Sequence, residues 1–261
     1  MAFGPDNRLT MAGRASTATV DQAALDVGLR RYMLGVYNYM ASGVLLTGIV
    51  ALLIANTPAL LSLFYAPALL PNGRTVLQPT ILAYVVMFAP LAFVMVLSFG
   101  VNRMSKSTVQ LVFWAFCAVM GASLTHIFLV FTGESIVRTF FVTAGTFAAM
   151  SIWGYTTKAD LTKMGSFLMM GLIGIILASL VNMFLGSTAL QFAITVIGVL
   201  VFVGLTAYDT QRIKSDYAAY SYAEGQELAG KRTVMDALSL YLNFINLFTL
   251  LLQLMGNRQS E

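Results

Sequence analysis

Five polar residues share one face of the last apolar stretch of the chain. Asp236, Ser239, Asn243, Asn246 and Gln253 follow one another at spacings of 3, 4, 3 and 7 residues, within an otherwise apolar run over 234–255. At about 100° per residue they fall on one helical arc of roughly 100°. A carboxylate, a hydroxyl and three amides so aligned offer two kinds of chemistry. They can tie helices together through hydrogen bonds, worth on average about 0.6 kcal/mol each inside a membrane. They can also line a wet cavity that passes or binds a cation. The stripe supports both, and it excludes a helix that faces lipid all round.

A second carboxylate belongs to the preceding apolar run. Gln191, Thr195, Gly198, Phe202, Leu205 and Asp209 lie on one helical face, with Asp209 one turn before Arg212. A carboxylate there is either hydrated at a membrane surface or buried, and in the second case its titration is open to neighbours. Burial or a second carboxylate raises its pKa, and an arginine lowers it. Asp209 and the Asp236–Asn243 segment fall at the same end of adjacent helices, so they can meet.

Other reactive residue types are sparse. His126 is the single histidine, three residues from Ser123 on the same helix, where the two side chains run alongside each other. That is no nucleophile–base geometry, and His126 reads as a hydrogen-bonded structural residue. Cys117 stands alone in an apolar run and has neither disulfide partner nor ligand spacing. Glu134 sits at a helix end, where a solvated face is the default, and the 15 methionines read as packing. Gly174 and Ala178 offer a small-residue face for close helix approach. No catalytic constellation, dedicated metal site or cofactor motif is expected, and the chain does not read as an enzyme.

The elements that position these residues are membrane spans. Hydrophobic residues make up 58% of the 261-residue chain and charged ones 10%, with a mean hydropathy of +0.80. Soluble domains carry about 25% charge, so few charges could not clothe an aqueous surface. Seven stretches are long enough to cross, 33–55, 81–101, 109–131, 138–156, 166–186, 189–211 and 234–255. The expected fold is all-α, a seven-helix membrane protein with residues 33–255 as the transmembrane domain. Residues 1–32 form an N-terminal tail with a short surface helix over Asp21–Arg31, and 256–261 form a short outer tail. The connection 56–80, with Pro58, Pro67, Pro71 and Pro79, holds the run Ala59–Leu63 and Phe64, too short to cross and suited to a re-entrant or interfacial piece. The loop Ser215–Lys231 is polar. Spans five and six meet at Gly186-Ser187-Thr188 in a tight hairpin.

Orientation follows from the basic residues. With the N-terminus inside, the cytoplasmic set is Arg8, Arg14, Arg30, Arg31, Arg103, Lys106, Lys158, Lys163, Arg212, Lys214, Lys231 and Arg232, and the outer set is Arg74, Arg138 and Arg258, a partition of 12 against 3. The location expected is the cell inner membrane, N-terminus cytoplasmic and C-terminus outside. The net charge of +4 is a membrane signature. No basic stripe with interleaved aromatics points to nucleic acid.

Two segments carry a family likeness. Gly204-Leu-Thr-Ala-Tyr-Asp-Thr-Gln-Arg-Ile-Lys214 and Ala237-Leu-Ser-Leu-Tyr-Leu-Asn-Phe-Ile-Asn-Leu-Phe248 resemble the signature of the Bax inhibitor-1 family, and the N-terminal tail is similar to that of its bacterial, YccA-like branch. Supporting matches run from Gly121 to Ser135 and from Trp153 to Asp160. The resemblance implies a seven-helix fold with the last helix central and a pH-sensitive calcium leak closed on the cytoplasmic side. It implies an aspartate at Asp209, its partner on span seven, and a locking arginine at Arg103. Many relatives have aspartate where this chain has Asn243. Asparagine can hydrogen-bond a carboxylate but cannot share its proton, so the expected latch is Asp209 with Arg103 and Asn243. Asp236 stands nearby as a substitute carboxylate.

The function expected is thus a calcium or cation leak gated by Asp209, Arg103, Asn243 and Asp236. Ser239, Asn246, Gln253 and Gln191 would line its cavity, and Asp209 would be the one weak meeting point for calcium. A dedicated calcium site needs about 6–8 oxygens, more than the spans supply. The expected partners are the bilayer, the cation and other membrane proteins. The alternative is a non-transporting adaptor, in which the N-terminal tail regulates stress, cell death or a membrane protease. An intramembrane hydrolase would need an activated serine near a histidine on another helix, which the sequence lacks.

Overall fold

The computed structural model describes residues 7–69, 75–220 and 225–259. The chain runs α1 (Asn7–Asn56), α2 (Pro58–Phe64), β1 (Tyr65–Leu69), β2 (Thr75–Pro79), α3 (Ile81–Gly100), a 3-10 turn (Val101–Arg103), α4 (Lys106–Ser123), α5 (His126–Val130), α6 (Gly133–Thr156), α7 (Thr162–Leu185), α8 (Thr188–Tyr220) and α9 (Gln226–Met255). Seven segments are long and apolar enough to cross a membrane, among them Leu25–Asn56, Lys106–Val130 and Glu227–Met255. Their order agrees with the seven expected stretches. Each pair of successive crossings reverses direction, which defines an entry end (residue 25 side) and a far end.

Local chemistry sets the boundaries. Thr80, Ser105 and Thr132 each accept the N–H three residues on, from Ala83, Thr108 and Ser135, satisfying a donor that the helix start leaves free. At Gly186 the backbone turns left-handed, φ +61°, and its N–H donates to Asn182 O. This ends α7 and starts the tight α7–α8 reversal expected there.

Several expectations change in detail. Asp21–Arg31 is not a separate surface helix, since α1 continues without a break from Asn7 into the first span. The Ser215–Lys231 loop is mostly helix, because α8 extends to Tyr220 and α9 starts at Gln226. The Pro-rich connection folds as α2 followed by an antiparallel hairpin in which Tyr65 pairs with Pro79 and Leu69 with Thr75. Pro58 opens α2, Pro67 sits mid-strand in β1 and Pro79 ends β2, and in a two-stranded hairpin both strands are edges that tolerate a missing N–H. Pro71 and Arg74 lie outside the described residues. The third span is broken at Leu124–Thr125 into α4 and α5.

The last helix is the hub. Half of the apolar window of α9 is buried against 11% for α7, and α9 packs on α1, α4, α6 and α8. Fully buried Tyr241 is wedged edge-on against Phe113 and Phe116 of α4, and its hydroxyl bonds that of Thr47 on α1 at 2.6 Å. Thr47 also donates to Cys117 O at 2.9 Å. Small residues bring backbones together at other places than expected. A Cβ on Gly154 would stand 2.3 Å from Ala207 O, and one on Gly121 2.5 Å from Thr47 O, whereas one on Gly174 meets open space. The close-approach role falls to Gly154 and Gly121, because Gly174 faces outward on the peripheral helix α7.

Candidate functional site

At the entry end, three helices, α1, α8 and α9, present polar side chains to one another. Asp209 comes from α8, one turn before the point where the apolar pattern gives way to Arg212 and Lys214. It is buried, at 8% exposure. Arg212, one turn on, reaches back to Asp209 Oδ1 at 3.1 Å. Asn243 of α9 donates its amide to Asp209 Oδ2 at 2.7 Å. Both carboxylate oxygens are therefore held, one by a charge and one by a neutral donor. Arg212 also donates to Ser239 Oγ on α9 at 3.4 Å, while its Nε is buried with no partner.

Asp236 lies two turns nearer the helix start. It is also 8% exposed, and Tyr32 of α1 donates its hydroxyl to Oδ2 at 2.6 Å. Arg212, Arg232 and Asp216 stand close enough to Asp236 to act on it electrostatically. Arg212 thus sits between two buried carboxylates, paired to one and felt by the other. Tyr32 stacks obliquely on Tyr217, centroids 4.9 Å apart, which ties α1 to the end of α8.

The α6–α7 connection closes the same end. Leu161 N–H donates to Gln211 Oε1 and Gln211 Nε2 donates to Ala159 O, each at 2.8 Å. Asp160, fully exposed beside them, accepts the Thr162 N–H at 2.9 Å. That bond and the Thr162 side chain hold its carboxyl below the usual carboxylate range.

Asp209 and Asn243 meet as the sequence suggested. Arg103 does not join them: it is exposed in the 3-10 turn after α3, and the arginine on Asp209 is Arg212. The reason is reach, since Arg212 lies on the carboxylate's own helix at i+3. Ser239 faces Arg212, while Asn246 is half-buried and donates to Leu242 O of its own helix. Gln191 and Gln253 belong to the far end, where Asn182 Nδ2 donates to Gln191 Oε1 at 3.1 Å and Gln191 Nε2 to Gln253 Oε1 at 3.3 Å. Asp236, Ser239, Asn243 and Gln253 of the α9 stripe make interhelical hydrogen bonds, whereas Asn246 bonds within α9. The large recess of the molecule opens elsewhere, between α1 and α6, with none of these four residues in its wall. His126 Nδ1 donates to Ser123 O, 3.0 Å away, in keeping with a structural residue. Among the described residues no three metal-binding side chains gather.

Tyr32 was the functional-end residue that sequence reasoning missed. Its partner Asp236 is 204 residues away, and a tyrosine at the edge of an apolar run carries no signal of which helix it will meet. The spacing placed Arg212 one turn from Asp209, but the arginine expected in the latch was Arg103.

Seven apolar crossings around a central polar-striped helix, closed at one end by buried carboxylates, define a multi-pass α-helical membrane protein. A family profile described as "Inhibitor of apoptosis-promoting Bax1" matches residues 29–260, and the chain belongs to this Bax inhibitor-1 family. It is 45% identical over 232 residues to the inner membrane protein YbhL of Escherichia coli strain K12, covering 89% of this chain and 94% of that one. It is also 45% identical over 244 residues to an uncharacterised protein of Rickettsia prowazekii, covering 94% and 97%. A Caulobacter vibrioides protein is 44% identical over 250 residues, covering 95% and 98%.

Proposed function

We propose that the protein is a slow, poorly selective calcium or cation leak of the bacterial inner membrane, closed at the entry end by a latch of Asp209, Arg212 and Asn243. The observation that carries this reading is the full engagement of the Asp209 carboxylate between α8 and α9. Such a carboxylate, once protonated, loses its charge toward Arg212 on its own helix and toward the Asn243 amide on α9, which weakens the α8–α9 contact so that the helix ends can part. Asp236, with Tyr32, Arg212, Arg232 and Asp216 facing it, is the second acid-labile contact. Asn243 can only donate or accept a neutral bond, so the pH response rests on Asp209 and Asp236 separately rather than on a shared proton.

The inner-membrane location is taken from the relative in Escherichia coli. The basic residues crowd the entry end, which supports a cytoplasmic N-terminus. Calcium flux into liposomes holding the purified protein tests the latch. Asp209→Asn raises the resting leak and flattens its pH dependence, whereas flux indistinguishable from the unmodified chain across pH rejects it.

A second reading draws on α1, which continues as helix back to Asn7 although the apolar span begins at Leu25. A stalk of that kind suits an adaptor for another membrane protein. Deleting residues 1–24 would then abolish regulation in cells and leave liposome flux intact.

A further inference from the structure

The helices α1 and α6 both pack on α9 and diverge from each other, leaving a lateral recess of about 1100 Å³. Ordinary ligand pockets span about 300–1,000 Å³, so this is a large one. Its walls are apolar side chains of α1 and α6, such as Leu34, Ala41, Leu45 and Ala148, and Phe244 of α9 forms part of its lining. All of these lie within membrane spans, so the recess opens toward acyl chains and not toward water.

Its chemistry is asymmetric. Arg30, exposed, lines the entry-end mouth together with Tyr155. Lys214 of α8 donates to Tyr155 O at 2.8 Å and lies 4.8 Å above the Tyr155 ring, which sets a second cation beside the same mouth. Arg212–Asp209 and Lys231–Glu227 form ion pairs, and among the described residues neither Arg30 nor Lys214 is paired with a carboxylate. From Arg30 to Leu45 the wall of α1 runs about 22 Å at 1.5 Å per residue, long enough for a headgroup and the acyl chain of one leaflet in a core about 30 Å thick.

We infer that the α1–α6 recess is a binding site for one anionic phospholipid, its phosphate held at Arg30 and Lys214 and an acyl chain lying along α1 past Ala41. Charge complementarity at the mouth selects anionic over zwitterionic headgroups, and the apolar walls select a lipid over a soluble anion. The site is separate from the latch and stands whether or not the protein conducts.

Native mass spectrometry of the full chain in detergent, titrated with dioleoyl phosphatidylglycerol or dioleoyl phosphatidylcholine, tests it. The unmodified protein should retain one phosphatidylglycerol about tenfold more tightly than phosphatidylcholine, in line with two cations facing one anionic headgroup. Arg30→Gln with Lys214→Gln should bring the two lipids to within about twofold of each other. Ala41→Trp, which fills the recess from an exposed position, should weaken both lipids, and Ile173→Trp on the outward face of α7 should change neither. Equal retention of the two lipids by the unmodified chain overturns the inference, even where a variant fails to fold. So does an Ala41→Trp protein that binds like the unmodified one.

Discussion

The two ends of the bundle are closed by different chemistry. At the entry end, Asp209, Asp236 and Arg212 are held with Tyr32, Ser239 and Asn243. At the far end, neutral amides of Asn182, Gln191 and Gln253 join α7, α8 and α9, and backbone bonds fasten residues 257–259 across the α5–α6 junction. Both ends are closed by hydrogen bonds, but only the first uses carboxylates, side chains whose charge changes with pH. Acid can therefore act on one closure and leave the other intact.

The sharpest way to break this contrast is Arg212→Leu, which leaves buried Asp209 without its cation. The guanidinium is partly open to water, so the expected loss is about 2–3 kcal/mol rather than the 3–5 of a fully buried pair, seen as a lower unfolding temperature in detergent. Asn243→Ala removes the neutral donor and should cost about 2 kcal/mol, with Asp209→Asn in the same background restoring part of it. Tyr32→Phe, which deletes one bond to Asp236, should cost about 1 kcal/mol. The far-end counterpart, Gln191→Leu, should cost about 0.6 kcal/mol and leave any pH dependence of flux unchanged. A pH shift in the Gln191→Leu protein would erase the distinction between the ends. Asp160→Asn gives the smallest effect. The depressed carboxyl contributes stability that is present above its ordinary value of 3.8 and lost as pH falls through its folded value. The unfolding temperatures of the two proteins should accordingly converge below that range.

The sequence made the spans and the central helix legible for one reason. A membrane leaves unsatisfied backbone nowhere to go, so apolar length alone identifies a crossing, and a polar stripe on α9 must then face protein. The Asp209–Asn243 contact was legible because both residues fall at the same end of consecutive helices. What escaped was set by tertiary packing. Arg103 and Arg212 are equally cationic in sequence, and only the reach of a side chain within its own helix decided for Arg212. The hydrogen bond from Tyr32 depends on how α1 lies against α9. The α1–α6 recess is a divergence of two helices, invisible in either one, and the β-hairpin was hidden by prolines that sit where pairing does not need them.

The fastening of residues 257–259 has a consequence for biogenesis. Gln259 bonds the backbone of Phe128, 131 residues earlier, and its N–H donates to Val130 O, while Thr132 N–H donates to Asn257 O. The break between α5 and α6 therefore reaches the membrane with carbonyls and amides still waiting for a strand that the ribosome has yet to make. Until that strand emerges and crosses, this stretch must be tended by water, lipid headgroups or the insertion machinery. A stall in translation before the final helix would leave a protein whose far-end closure never forms.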